Sequence, residues 1–164
     1  MRVVDFGAGE GEFAVALASR VGASGRVYAT EIDDASLAEI RKAASEAGLS
    51  NIAVVKGAVS RTNVPEACCE AVLSRVVYHH LDEPGAINAQ LFRVLRPGGR
   101  LLVIDFPPGG VMDWIDRPHT ASGSGGHGTP PERVVRDASA AGFQLIRGPE
   151  PWRGRTYAVL FRRP

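Results

Sequence analysis

The chain has 164 residues, 45% of them hydrophobic and 23% charged, with a formal net charge of +1. That is enough for one packed core, and it gives no field to hold a nucleic acid or an anionic membrane. Cys68 and Cys69 are adjacent, which excludes an ordinary structural disulfide or a spaced thiolate metal site, and with neither a leader-like N-terminus nor a run of ~18 apolar residues the chain is expected in a reducing cytoplasm.

Val3–Phe6 reads as a short buried strand. It runs into Gly7-Ala8-Gly9-Glu10-Gly11, a loop with glycine at every second position, and then into a helix whose apolar stripe is Phe13, Ala16, Leu17 and Val21. Gly22 and Gly25 stop that helix, and Arg26–Thr30 is a second strand ending at Glu31. Asp33 or Asp34 can cap the next helix, whose stripe is Leu37, Ile40, Ala44 and Ala47 and whose end falls at Gly48. Ile52–Lys56 is a third strand. Residues 57–69 are irregular, since Pro65 rules out a central strand.

Ala71–Ser74 is the fourth strand. Asp82 is placed to cap a helix with Pro84 in its first turn and a stripe of Ile87, Leu91, Val94 and Leu95. Arg96-Pro97-Gly98-Gly99 is a turn, and Arg100–Phe106 is the fifth strand. Residues 107–129, rich in Gly, Pro and Ser, read as a long mobile loop. Thr129-Pro130-Pro131-Glu132 has the form of a capping box, opening a helix that carries Val134, Val135, Ala138 and Ala141 and ends at Gly142. Phe143–Ile146 and Tyr157–Phe161 form a closing hairpin. Residues 147–164 carry five arginines against Glu150 alone, read as solubilising charge on that hairpin.

Strands alternating with helices imply a Rossmann-like, doubly wound α/β domain over residues 1–164. Its seven-stranded sheet is expected to be mostly parallel, with one antiparallel strand from the C-terminal hairpin. Ligands of such sheets sit beyond the carboxyl ends of the strands, where Asp5, Glu31, Ala58 and Ser74 fall.

The glycine loop is not a dinucleotide fingerprint. Its glycines are Gly7, Gly9 and Gly11, and Glu12 stands where the third dinucleotide glycine belongs. A pyrophosphate would meet that carboxylate at the helix N-terminus, where an anion site offers free amides. A cofactor with no phosphate and a cationic sulfonium avoids the conflict.

Here the sequence resembles the class I S-adenosylmethionine-dependent methyltransferases. The matching segments are Val3–Gly11, Arg26–Asp33 with its acidic strand end, Glu70–Leu81, the Leu95-Arg96-Pro97-Gly98-Gly99-Arg100-Leu101 turn, and Ala140–Phe143 with the final strand pair. The resemblance implies S-adenosylmethionine as cofactor, S-adenosylhomocysteine as product and a small-molecule methyl acceptor. It places Glu31 on the ribose hydroxyls, and Asp5 with Gly7, Ala8, Gly9 and Gly11 on the methionyl end. Ile32, Ala58 and Val59 fall beside the adenine, and Ser74 and Arg75 near the amino group. Many relatives carry an acid at the Ala58 position; alanine leaves the adenine amino group to backbone or water. Glu10 and Glu12 add negative charge to the loop, read mainly as solvated surface carboxylates.

Methyl transfer needs alignment above all, and a general base only for a protonated acceptor. His79, His80, His119 and His127 are the histidines for that role, although packing or plain loop positions explain each of them too. Loop 107–129, with Asp113, Trp114 and His119, is the expected acceptor lid. No metal site is expected. Relatives usually have helices before the first strand, so the cover of the site is expected from a partner subunit, as in a homo-oligomer, or from a segment upstream of Met1. Two other readings stay open: a cofactor-binding protein with little or no turnover, and a nicotinamide oxidoreductase.

Overall fold

The computed structural model describes residues 1–109 and 128–164. The elements in chain order are β1 (Arg2–Phe6), α1 (Glu12–Val21), β2 (Arg26–Glu31), α2 (Asp34–Glu46), β3 (Ile52–Lys56), β4 (Cys69–Arg75), a single 3₁₀ turn (Tyr78–His80), α3 (Pro84–Val94), β5 (Leu95–Asp105), α4 (Pro131–Ala140), β6 (Gln144–Pro151) and β7 (Tyr157–Arg162). They form one seven-stranded sheet in the order β3-β2-β1-β4-β5-β7-β6. β1 pairs in parallel with β2 and β4, while β7 runs antiparallel to both β5 and β6. The doubly wound sheet with one antiparallel member is therefore the fold observed.

Apolar layers cover both faces. On one, Ala14 and Ala18 of α1 and Ile40 of α2 pack on Val27 and Ala29. On the other, Ile87, Leu91 and Val94 of α3 and Val134 and Ala138 of α4 pack on Val4, Val72, Leu101 and Phe161. Central strands buried on both sides read as continuous apolar runs, which is why Val3-Val4 and Leu101–Ile104 do not alternate. The Asn51 amide at the head of β3 donates to the carbonyls of Ala18 and Gly22, both at 2.9 Å, and so closes the end of α1. Asp33 caps α2 as expected, accepting from the Ser36 N–H at 2.8 Å.

Four local expectations are corrected. Helix α3 starts after Glu83 with no side-chain cap, so Asp82 is free of that task. Helix α4 starts at Pro131, and its N-cap is Pro130 rather than Thr129. Thr129 instead accepts at its carbonyl from the Tyr157 hydroxyl (2.8 Å) and donates its N–H to the Phe106 carbonyl (2.9 Å). Long-range bonds outcompete the local box. The Arg96–Gly99 turn is absorbed into β5 as a bulge: Cys69 pairs with Leu95, but Ala71 pairs with Arg100. Finally, Cys68 and Cys69 are joined as a disulfide at the start of β4. The bond encloses no intervening residues, so it constrains little of the unfolded chain.

Candidate functional site

The strand order reverses between β1 and β4, since β1 leads to β2 on one side and abuts β4 on the other. Beyond the carboxyl ends of such neighbours lies the ligand crevice of an open α/β sheet. Here a cavity of about 640 Å³ opens there, walled by the glycine loop, the end of β2, the segment after β3 and the segment after β4.

The glycine loop is built by three different demands. Gly7 has φ +71°, and a Cβ there would stand 2.3 Å from Cγ2 of Val77, so only glycine lets β1 turn beneath the post-β4 segment. Gly11 faces away from the cavity, where a Cβ would come 3.1 Å from Cα of Ile40; it sets the packing of α1 on α2. Gly9 lies between them with no atom within 4 Å of a built Cβ, on open space. The loop is tied to β2 by the N–H groups of Gly7 and Ala8, which both donate to the Thr30 carbonyl at 3.1 and 3.0 Å.

Glu31 is held in place by the same loop. Its Oε1 accepts from the Gly9 N–H and its Oε2 from the Ile32 N–H, each at 3.0 Å. One lone pair per oxygen stays available on the cavity side. Asp5 is 2% exposed, and its Oδ2 has no hydrogen-bond partner. Burial pushes its carboxyl up to about 7, with nearby Arg75 pulling it down and Glu31 adding to the rise. Buried hydroxyls of Thr30 and Ser74 are also without partners at neighbouring strand ends.

Nine of the eleven residues expected to hold a cofactor line this one cavity: Asp5, Gly7, Ala8, Gly9, Glu31, Ile32, Ala58, Val59 and Arg75. Gly11 and Ser74 do not line it; Gly11 packs against α2, and Ser74 is buried in the sheet. Ile32 and Val59 are 57% and 53% exposed, two apolar side chains flanking the opening. Sequence reading did not place Phe13, Val76, Val77, Leu81, Asp82 and Ile87 on the wall, yet all line it. Phe13 and Ile87 sit on helical stripes and were read as core; their signal was position, each being in the first turn of a helix that starts at the sheet's carboxyl edge. Val76 has φ +57°, uncommon for a β-branched residue, where the chain leaves β4.

The histidines separate. His79 does not line the cavity. Its Nδ1–H donates to Oδ1 of Asp105 at 2.9 Å, because a carboxylate there can only accept, and its backbone N–H donates to Oδ2 at 3.0 Å. His80 does line the cavity, with its ring centroid 3.9 Å from that of His79. His119 and His127, with Asp113 and Trp114 and most of the expected lid, lie outside the described residues. Among the described residues no cluster of three metal-capable side chains is placed to hold an ion, and no helix is long and apolar enough to cross a membrane.

Strand order, switch-point cleft and a carboxylate clamped over a glycine loop define a doubly wound α/β protein with one ligand-sized crevice at its switch point. The chain belongs to the methyltransferase domain family, whose model matches residues 4–103. Among curated relatives it is 32% identical over 119 residues to the ubiquinone/menaquinone biosynthesis C-methyltransferase UbiE of Bordetella avium, covering 70% of this chain and 46% of that protein. The chain thus spans about half the length of the curated relatives it matches. Its fold is similar to that of a SAM-dependent methyltransferase from Aquifex aeolicus, with a TM-score of 0.78, 23% identity and coverage of 98% of this chain and 81% of that one. It is also similar to the [4+2]-cyclase SpnF, with a TM-score of 0.72, 23% identity and coverage of 89% and 52%. A fold shared with a protein named as a cyclase shows that the reaction must be argued from the site.

Proposed function

We propose that this chain binds S-adenosylmethionine in the β1–β4 cleft and directs its methyl group to a small organic nucleophile. The observation that carries this reading is the acidic character of the cleft. Asp5, Glu10, Glu12, Glu31 and Asp82 all line it, against Arg61 and Arg75. A phosphate-bearing dinucleotide would be repelled, whereas a sulfonium nucleoside with an ammonium group is attracted. The residues present also fit the group in detail. Asp5 Oδ2 is a buried acceptor awaiting a donor, Glu31 has lone pairs for paired hydroxyls, Gly9 leaves room for close approach, and Ile32 and Val59 offer apolar surface to a base.

When bound, the cofactor supplies a methyl carbon already activated by its sulfonium. The protein's part is to orient the two reactants and exclude water. Asp5 holds the cationic end, and Glu31, fixed by two backbone N–H groups, holds the ribose. Val76, Leu81 and Ile87 add apolar wall to the same cavity, suited to the acceptor. His80 lines the cavity and is the histidine we assign to take a proton from a protic acceptor; His79, bonded to Asp105, serves the framework.

Titration calorimetry with S-adenosylmethionine, S-adenosylhomocysteine and NADH tests the reading. Both sulfur nucleosides should bind and NADH should not; the reverse would overturn it. Product mass analysis on a metabolite extract then identifies the acceptor. Glu31→Ala should weaken S-adenosylhomocysteine binding by about 1–3 kcal/mol, the scale of lost charged hydrogen bonds, and an unchanged affinity would refute the ribose assignment.

Asp5 makes the affinity depend on pH. Only its ionised form attracts an ammonium, and in the free protein it takes up a proton as pH falls through about 7. Binding of S-adenosylhomocysteine should therefore weaken below that pH, approaching about tenfold per unit, and level off above it. Asp5→Asn should flatten this profile. A wild-type affinity constant from pH 5 to 8 would contradict the assignment.

A further inference from the structure

Arg75 is the last residue of β4. Leu73 pairs with Asp5 in the sheet, so Arg75, two residues further on, points to the same face. That face carries α1, and the Arg75 guanidinium carbon stands 4.0 Å from the ring centroid of Phe13 in its first turn. Stacking occupies one face of the planar guanidinium and leaves its N–H edges pointing outward. Arg75 lines the cavity, and no described residue accepts a hydrogen bond from its guanidinium.

Asp5 is the complement of this arrangement. It is an almost fully buried carboxylate whose Oδ2 has no donor, and it lies within electrostatic reach of Arg75 without forming an ion pair with it. Two opposite charges therefore face one cavity side by side, each short of a partner. A ligand that carries an ammonium and a carboxylate on one carbon completes both. The Arg75 fork matches a carboxylate in bidentate fashion, and Asp5 matches the ammonium.

We infer that Arg75 is the carboxylate receptor of this site, taking the α-carboxylate of the cofactor's amino-acid end while Asp5 takes the ammonium. The inference rests on the reading of the cleft as an S-adenosylmethionine site. It adds a specificity: the pocket selects sulfur nucleosides with an intact amino acid over those that have lost the carboxylate. Phe13 acts as a positioning residue, holding the guanidinium flat.

The test is calorimetry on the full chain with three probes: S-adenosylhomocysteine, its decarboxylated amine analogue and 5′-methylthioadenosine, which lacks both charged groups. Wild type should bind S-adenosylhomocysteine roughly 10–100-fold more tightly than the decarboxylated analogue, the range of a charge-assisted hydrogen bond. Arg75→Gln should remove that preference and leave the affinity for 5′-methylthioadenosine, which carries neither charged group, unchanged. That unchanged affinity also reports that the variant is folded. Arg75→Lys, which keeps the charge and loses the fork, should keep part of the preference. Equal wild-type affinity for the carboxylated and decarboxylated probes would overturn the inference and leave the cofactor reading standing. A preference that survives Arg75→Gln would do the same. Failure of all three probes to bind wild type would overturn both.

Discussion

Replacing Asp105 with alanine should lower folding stability by about 3–5 kcal/mol, the scale for breaking a buried charged network. The carboxylate is fully buried at the end of β5 and accepts three bonds: from the His79 ring, from the His79 backbone and from the Phe106 backbone at 2.8 Å. Alanine would strip all three donors, each part-buried, of their acceptor. For a chain of this size, the melting temperature should fall by on the order of 10 °C. Asp105→Asn keeps one acceptor oxygen and should fall between. A thermal melt unchanged in Asp105→Ala would show that water or rearrangement satisfies these groups. Because the His79 ring sits tilted against that of His80, centroids 3.9 Å apart, residual folded protein should also show a displaced His80 resonance in an imidazole NMR spectrum.

The second large effect belongs to the glycine loop, where two neighbouring glycines should respond in opposite ways. Gly7→Ala sets a Cβ 2.3 Å from Val77 and holds a left-handed backbone. Left-handed strain of about 1–2 kcal/mol adds to overpacking of about 1–3 kcal/mol, so the variant should melt well below wild type. Gly9→Ala meets no atom within 4 Å and bears only the strain of φ +55°. It should fold with a loss of about 1–2 kcal/mol yet lose at least about tenfold in affinity for S-adenosylhomocysteine, because a Cβ hinders backbone approach. Equal affinities for wild type and Gly9→Ala would mean that the ligand does not approach this turn.

The sheet was legible because its signal is local and repeated. Each strand is a short apolar run, each of the first two helices has a capping or glycine stop, and alternation fixes the parallel topology. That Asp5, the glycine loop and Glu31 wall one cavity was legible for the same reason, since they lie within one βαβ unit. What escaped depends on partners far along the chain. Asp105 lies 26 residues beyond His79, so nothing near His79 could separate it from His80. Thr129 carries a sound capping pattern and loses it to Tyr157, 28 residues away. Arg75 is expected near the amino group from its place after β4, but nothing in the sequence brings its guanidinium against Phe13, 62 residues earlier. The disulfide between neighbouring cysteines was excluded by a rule for ordinary bridges that does not extend to adjacent residues.

Every described cavity-lining residue falls between Asp5 and Ile87, while β7 and β6 finish the sheet beyond β5. The chain thus divides its labour by position in sequence. Among the described residues, the first half forms the cavity and the C-terminal hairpin holds the β5 edge of the sheet. Selection should see the two parts through different windows. A change at Phe161 in the core should be felt as lost abundance, and one at Glu31, in the proposed ribose role, as lost recognition. The terminal hairpin should accordingly tolerate substitution better than the cavity wall, provided its inward side chains keep their volume.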